Sequence, residues 1–178
     1  MKIVIVNGSA RKKGRTGIAS RHFEKSYGTE LIDLSQLKLP IFNGEEDQYH
    51  LEEVKNLKEK IGQADGIILA SPEYHSGMSG ALKNALDFLG SQQFAHKPLA
   101  LLAVSGGGKG GINTLNNMRI VARGLYANVI PRQLVLDPDC FDYENDSLLP
   151  EADALAKQLM DELSRYIKIN NLLKEQER

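Results

Sequence analysis

Continuous apolar runs alternate with segments of helical periodicity along the whole chain. The apolar and β-branched runs predict strands at Lys2–Val6, Thr29–Leu34, Gly66–Ala70, Leu99–Val104 and Val129–Leu136. Apolar residues at helical spacing follow each strand. They predict helices from about Thr16, over Leu51 to Ala64, Ser79 to Leu89 and Leu115 to Leu125, and finally over Ala152 to Ile167. Successive βα units of this kind predict an α/β fold, with helices on both faces of a parallel sheet.

The strands differ in polarity, and the difference predicts their order in the sheet. Strands one, three and four are continuously apolar, which is typical of strands buried on both faces. Strand two carries Glu30 and Asp33, and strand five carries Pro131 and Arg132. Because proline cannot donate to a sheet ladder, it is confined to edge strands or bulges. The predicted order is therefore 2-1-3-4-5, a flavodoxin-like doubly wound five-stranded sheet, whose ligand crevice lies between strands one and three.

Composition and charge narrow the functional classes. The chain has 178 residues, of which 42% are hydrophobic and 25% charged. These values predict one domain over residues 1–178. The charged run KEQER at the end predicts a frayed C-terminal tail over about 170–178. The formal net charge of −1 gives no reason to expect nucleic acid or an anionic membrane as a partner. No apolar run approaches the roughly 20 residues that span a bilayer. The chain starts directly with a strand rather than a secretion signal, so a cytoplasmic location is expected.

Cysteine chemistry is not expected to carry the function. Cys140 is the only cysteine, so the sequence predicts no disulfide and no cysteine cluster for a metal ion. Its neighbours Asp137, Asp139 and Asp142 would raise the pKa of the thiol. An ordinary structural cysteine is therefore favoured over a nucleophile.

Three loops rich in glycine and serine follow strands one, three and four, and the strand order brings them to one rim of the sheet. We call them loop one (Gly8–Gly17, GSARKKGRTG), loop two (Ser71–Gly80, SPEYHSGMSG) and loop three (Ser105–Gly111, SGGGKGG). Loop one supplies hydroxyl groups, arginine charge and the free N–H groups of a helix start. This favours a phosphate site over a merely solvated basic loop. The glycine spacing of loop one matches neither a dinucleotide fingerprint nor a Walker A motif.

Loops two and three predict a site for a planar ring. In loop two, Pro72 fixes one backbone angle, Gly77 and Gly80 permit close backbone approach, and Tyr74 offers a flat face. An ordinary strand–helix turn also favours such residues. The five glycines of loop three suit a ligand that approaches the main chain. Lys109 within it is either a solvent-facing residue or a contact for a second anion. A phosphate beside a planar heterocycle indicates a mononucleotide, FMN.

These loops resemble those of the NADPH-dependent FMN reductase family, whose members carry a Gly-Ser-x-Arg phosphate loop and a Pro-Glu-Tyr-(Asn or His) motif. The form PEYHSGMSGALKNALDFL is similar to that of small bacterial FMN-dependent azobenzene reductases, and the resemblance extends through Leu39–Glu45 and Ala127–Pro138. It implies one group of residues around the FMN phosphate and two groups flanking the isoalloxazine. These are Ser9, Arg11, Arg15, Thr16 and Gly17; Pro72, Glu73, Tyr74, His75, Ser76 and Gly77; and Ser105, Gly106, Gly107 and Gly108. His75 stands where asparagine is common, and it either contacts the flavin or touches nothing.

The resemblance also implies an activity. The enzyme would take hydride from NADPH onto FMN and pass two electrons to azo compounds, quinones or similar electrophiles by a ping-pong mechanism. Because the flavin carries this chemistry, no catalytic side chain and no metal are expected. Two alternatives stay open: a flavodoxin-type electron carrier and a nucleotide-binding regulatory module without turnover. The near-neutral charge disfavours the carrier, which usually presents an acidic docking face.

The helix over Ser79–Leu89 bears on the oligomeric state. Its apolar residues cover a wide arc: Ala81, Leu82, Ala85, Leu86, Phe88 and Leu89. A subunit interface is favoured here over deeper burial within one chain, and the resemblance implies a homodimer or homotetramer. Phe42 and Asn43 are candidates to reach the flavin of a neighbouring subunit. The other expected partners are small-molecule electron acceptors.

Overall fold

The computed structural model describes residues 1–108 and 110–176. Lys109, whose role the sequence left open, lies outside the described residues. The main strands are β1 (Ile3–Asn7), β2 (Glu30–Asp33), β3 (Gly66–Pro72), β4 (Pro98–Val104) and β5 (Asn128–Leu136). They pair in parallel in the order β2-β1-β3-β4-β5. The predicted flavodoxin-like sheet is confirmed.

Helices cover both faces of this sheet. They are α1 (Arg15–Tyr27), α2 (Glu52–Gln63), α3 (Gly80–Asp87), α4 (Ser91–Phe94), α5 (Ile112–Gly124) and α6 (Pro150–Gln176). Alternate residues of a strand face opposite sides. Ile3 and Ile5 therefore pack in the apolar layer that includes α1 and α6. Val4 and Val6 pack in the layer of α2, α3 and α5. Both faces of β1 are buried, which explains its uninterrupted apolar sequence.

The edge strand β5 accommodates proline through an irregularity in its pairing with β4. Leu99 pairs with Val129, whereas Leu101 pairs with Gln133, so the register shifts across Pro131. The missing N–H of Pro131 therefore falls where the ladder is already interrupted.

Several short elements gave no sequence signal. A 3₁₀ turn covers Glu46–His50, and α4 has only four residues. After β5, the two-residue strands β6 (Phe141–Asp142) and β7 (Ser147–Leu148) form an antiparallel hairpin. Strands of this length are too short to produce an apolar alternation.

The apolar arc of α3 is largely satisfied within the chain. Leu82, Ala85, Leu86 and Phe88 are buried in the single chain, so the arc does not by itself require a subunit interface. The interpretation that favoured an interface here was wrong in its premise, and the oligomeric state stays a prediction.

The segment over Leu39–Glu45 packs beside the end of α3. The Phe42 ring meets Phe88 edge to face, with the centroids 5.1 Å apart. The Phe42 N–H donates to Asn84 Oδ1 at 2.9 Å. Asn43 Nδ2 donates to Glu45 Oε2 at 2.8 Å. Whether Phe42 and Asn43 also reach a neighbouring subunit stays a prediction.

Two further features concern α2 and α6. Lys97 is only 9% exposed, and its ammonium donates to the carbonyl oxygens of Ile61 and Gly62, at 2.8 and 2.5 Å, where α2 ends. Burial lowers the pKa of Lys97 to about 8. The α6 helix continues to Gln176 through the segment expected to fray, and residues 172–176 are exposed. No helix in the described part of the chain is both long and apolar enough to cross a bilayer.

Candidate functional site

The three loops meet at one cavity at the carboxyl end of the sheet. Loop one contributes Ser9, Arg11 and Gly14 to Thr16, loop two contributes Pro72 to Tyr74, and the loop-three side contributes Val104 to Gly106. The cavity therefore brings together Ser9, Arg11, Arg15, Thr16, Pro72, Glu73, Tyr74, Ser105 and Gly106 of the predicted site residues. Gly17, His75, Ser76, Gly77, Gly107 and Gly108 do not line it.

Loop one is locked to loop two at its base. The Gly8 N–H donates to the Ala70 carbonyl at 2.7 Å, and the Ser79 hydroxyl donates to the Gly8 carbonyl. A Cβ at Gly8 would lie 2.6 Å from the Ala70 oxygen, so only glycine permits this approach. The Ser79 hydroxyl also accepts from the Leu82 N–H at 3.0 Å and thereby caps α3. These hydrogen bonds hold the bases of the two loops together.

The phosphate end of the cavity is built from loop one and the start of α1. Ser9 and Thr16 are each 2% exposed, and Ser9 Oγ accepts from the Arg11 N–H at 3.1 Å. The Arg11 side chain is exposed. Gly14 precedes α1 and supplies no side-chain cap to its first N–H groups. A helix start with uncapped N–H groups beside arginine charge favours an anion.

Gly17 supports this end from behind rather than lining it. A Cβ there would lie 3.0 Å from Arg21 Nη1 and 3.5 Å from Asn7 Nδ2. Gly17 therefore packs against Arg21 and Asn7 beneath the first turn of α1, a position that the sequence did not distinguish from ligand contact.

Loop two forms a tight reverse turn at its tip. Tyr74 and Gly77 exchange both backbone hydrogen bonds, each 3.0 Å long. His75 and Ser76 between them have φ values of +49° and +63°, as in a type I′ turn. The N–H groups of His75 and Ser76 have no backbone acceptor among the described residues. These two N–H groups, and not those of Tyr74 or Gly77, remain for a ligand.

The fold of loop two does not itself require Gly77 or Gly80, and the expected close approach of a ligand at these glycines stays a prediction. Gly77 does not adopt a positive φ, and a Cβ there would make only ordinary contacts, 3.8 Å from the Tyr74 carbonyl and 3.9 Å from Asn117 Oδ1. Gly80 has open space around its Cβ position. The left-handed conformation falls instead on His75 and Ser76, where it costs roughly 1–2 kcal/mol per non-glycine residue. Strain of this kind often accompanies functional loops.

Glu73 directs its carboxylate towards α5. Its Oε2 accepts from the Thr114 N–H at 3.0 Å. Hydrogen bonds from the backbone N–H groups of Gly111 and Thr114 keep the pKa of Glu73 below its ordinary value, against the opposing effect of burial. Glu73 thus caps α5 and joins loop two to the end of loop three. The sequence offered no signal for this role, because the cap and the helix start are far apart in the chain.

Most glycines of loop three are explained by the fold of the loop itself. Gly107, Gly108 and Gly111 have φ values of +119°, +54° and +89°. A Cβ at Gly110 would lie 2.9 Å from the Ser105 Cβ. Among the described glycines of this loop, only Gly106 has neither a positive φ nor a steric clash at its Cβ position. A close ligand is therefore not needed to explain most of these glycines.

Ser105 organises the start of loop three. Its hydroxyl donates to Asp137 Oδ1 and accepts from the Gly107 N–H at 3.1 Å. The Ser105 N–H donates to the Leu136 carbonyl at 3.0 Å. The side chain is therefore engaged in holding the loop against the end of β5.

Cys140 lies outside this site. It is partly buried in the 3₁₀ turn after β5, and burial raises the pKa of its thiol. The direction agrees with the expected structural role.

The size of the cavity identifies which part of FMN it fits. Its volume is about 110 Å³, well below the roughly 300–1,000 Å³ of a typical small-molecule pocket. This small, half-open space suits a phosphate group, with buried hydroxyls and uncapped N–H groups as partners. A ring system would lie outside it, along the rim formed by the loop-two turn and by Tyr74, which is 41% exposed. The residues present fit FMN in this sense.

Curated relatives match the chain over almost its full length. It is 48% identical over 176 residues to an NADPH azoreductase of Bacillus sp. (strain OY1-2), covering 99% of this chain and 98% of that protein. It is 31% identical over 183 aligned residues to an FMN-dependent NADPH-azoreductase of Staphylococcus aureus, covering 94% of this chain and 95% of that protein.

Solved structures share the fold at lower identity. An apo NADH:FMN oxidoreductase, EmoB, superposes with a TM-score of 0.72 at 19% identity, covering 93% of this chain and 88% of that one. The NAD(P)H:acceptor oxidoreductase FerB of Paracoccus denitrificans gives a TM-score of 0.71 at 21% identity, covering 96% and 97%. These two likenesses establish the flavodoxin-like architecture.

A family model completes the assignment. The model described as NADPH-dependent FMN reductase matches residues 1–139, a stretch that includes all three loops. The expectations of an enzyme, of FMN as its cofactor and of NADPH as its donor are confirmed at this level. By its loops, its sheet order and these matches, the chain belongs to the NADPH-dependent FMN reductase family.

Proposed function

We propose that this reductase passes electron pairs from NADPH, by way of FMN on the three-loop rim, to small electrophiles such as azo compounds and quinones. The observation that carries the proposal is the phosphate-sized cavity at the start of α1, whose lining also includes Pro72 to Tyr74 at the base of the loop-two turn. The azoreductase names of the two sequence relatives support azo compounds as one acceptor class.

In this proposal loop one holds the phosphate. Ser9, Thr16 and the first N–H groups of α1 provide hydrogen bonds, and Arg11 and Arg15 provide charge. The N–H groups of His75 and Ser76 serve the ring edge, and the exposed backbone of Gly106 serves its other side. Gly107, Gly108, Ser105 and Glu73 shape the loops that carry these contacts.

The flavin supplies the redox chemistry when bound, because it accepts hydride from a nicotinamide and gives up electrons to an acceptor. The chain itself then has to bind the flavin, orient its ring and stabilise the negative charge on the ring. N–H donors held rigidly in the loop-two turn are preorganised to stabilise negative charge on the ring without rearrangement. No acid or base from a side chain is assigned.

The same open face would receive the donor and then the acceptor, which predicts ping-pong kinetics. Purified protein loaded with FMN should oxidise NADPH with an azo dye or a quinone, and double-reciprocal plots at several acceptor concentrations should be parallel. Flavin that is reduced only by a partner protein would favour the carrier alternative. Protein that retains no FMN would favour the regulatory module.

Assembly and location remain part of the proposal. We expect a homodimer or homotetramer in the cytoplasm. Light scattering on the FMN-loaded protein tests the assembly, and a mass equal to one chain would contradict it.

A further inference from the structure

A second cavity lies beside the phosphate site, between α1 and the β6–β7 hairpin. It shares Arg11, Gly14 and Arg15 with the phosphate cavity. Its volume is about 540 Å³, about five times that of the first. This value lies within the range of roughly 300–1,000 Å³ that is usual for small-molecule sites. A phosphate of FMN bound in the first cavity would not fill this second cavity.

The four basic side chains around the second cavity are not equally available to a ligand. Arg21 is engaged by Asp146, whose two carboxylate oxygens accept from Nε at 2.6 Å and from Nη2 at 2.5 Å. Arg11 and Arg15 are shared with the phosphate cavity, so FMN would occupy them. Lys13 lines the second cavity and is exposed. It makes no ion pair with a carboxylate in the described part of the chain, so its charge remains for another anion.

The hairpin contributes an aromatic face to the same cavity. Tyr143 is 59% exposed, yet its hydroxyl donates to the Pro138 carbonyl at 3.0 Å. Its ring lies against Phe141, with centroids 6.1 Å apart. The Arg21–Asp146 pair fastens the hairpin to α1. An exposed aromatic side chain anchored at its far end, near the apolar Ile18, suits the stacking of a flat heterocycle.

A free ammonium and an anchored aromatic ring in one cavity fit a phosphorylated nucleoside. We propose that this cavity binds the adenosine 2′-phosphate end of NADPH, with Lys13 pairing with the 2′-phosphate and Tyr143 stacking on the adenine. The proposal rests on the proposed function, since it deepens the donor binding of the same enzyme. It assigns the preference for NADPH over NADH to Lys13, because NADH lacks that phosphate.

Steady-state kinetics on the FMN-loaded enzyme test the assignment. Lys13→Ala should raise the KM for NADPH by about tenfold, as expected for one charge-assisted contact at an exposed site. The KM for NADH should stay unchanged, because NADH lacks the 2′-phosphate. Lys12→Ala is the matched control, because Lys12 is an adjacent exposed lysine that does not line the cavity. Equal effects of the two variants, or equal effects on both donors, would overturn the role of Lys13.

Variants of Tyr143 test the stacking on adenine separately from the charge contact of Lys13. Tyr143→Ala should raise the KM for both donors by about tenfold, because an adenine stack is lost. Tyr143→Phe should stay near the wild type because the ring remains. If Tyr143→Ala changes the KM of neither donor, the adenine does not bind in this cavity.

A binding measurement keeps this proposal distinct from the proposed function. Calorimetric titration of FMN-loaded protein with 2′,5′-ADP requires no turnover. We expect binding that weakens in Lys13→Ala and not in Lys12→Ala. Binding with this pattern in a protein that does not oxidise NADPH would leave the adenosine site standing and refute the reductase. Oxidation of NADPH without this binding pattern would support the reductase and refute the adenosine site.

Discussion

Replacing Glu73 by alanine tests the link between loops two and three. The carboxylate accepts from the Thr114 N–H at 3.0 Å, and the nearby Gly111 N–H also helps to lower its pKa. Loss of an N-terminal helix cap costs about 0.5–2 kcal/mol. We expect about 1–2 kcal/mol here, because both partners are backbone groups at the positive end of α5. In a chain of 178 residues this corresponds to a fall in Tm of about 2–8 °C.

The pH dependence of this effect has a definite sign. The pKa of Glu73 is lowered in the folded state, so the unfolded chain takes up the proton first as the pH falls. The stabilisation is therefore present above the ordinary glutamate pKa and is lost as the pH falls through the folded value. The gap in Tm between wild type and Glu73→Ala should narrow in acid.

Thermal unfolding of flavin-stripped protein, followed by circular dichroism at neutral and acidic pH, measures both effects. Glu151→Ala is the control, since Glu151 lies in the first turn of α6 and makes no side-chain hydrogen bond among the described residues. FMN titration by fluorescence quenching should show weaker binding in Glu73→Ala, because the two loops that flank the ring lose a shared restraint. An unchanged Tm, or a gap that widens in acid, would refute the capping role.

Three further changes probe other parts of the chain. Arg11→Ala should weaken FMN binding by about tenfold to a hundredfold through loss of a charge-assisted contact, whereas Lys12→Ala should not; equal flavin titrations would remove Arg11 from the site. Ser76→Gly should raise Tm by relieving the left-handed strain, and Gly77→Ala should be tolerated; a fall in Tm for Ser76→Gly contradicts the turn geometry. Because the pKa of Lys97 is lowered to about 8, the unfolded state binds more protons from pH 8 towards 10.5. Denaturant unfolding should therefore show wild type gaining stability relative to Lys97→Met over that range, and the opposite trend would refute it.

The parts predictable from sequence are those set by burial. The uninterrupted apolar strands and Pro131 were enough to order the sheet, and that order brought the three loops to one rim. The conformations inside the loops were not predictable. Nothing local marks Glu73 as the cap of a helix that starts at Ile112. His75 and Ser76 adopt a backbone conformation in which glycine is expected, so nothing in the sequence marked them as the left-handed residues of the turn.

The β6–β7 hairpin also has a consequence for how such an enzyme can diversify. The family match ends at residue 139, and the hairpin begins at Phe141. The matched stretch contains the three flavin loops, whereas Tyr143 of the neighbouring cavity stands on a hairpin that is joined to α1 by the Arg21–Asp146 ion pair and to the core by Phe141 and Leu148. If the donor site proposed above is correct, exposed positions of this hairpin can change the choice of electron donor without any change in the three loops.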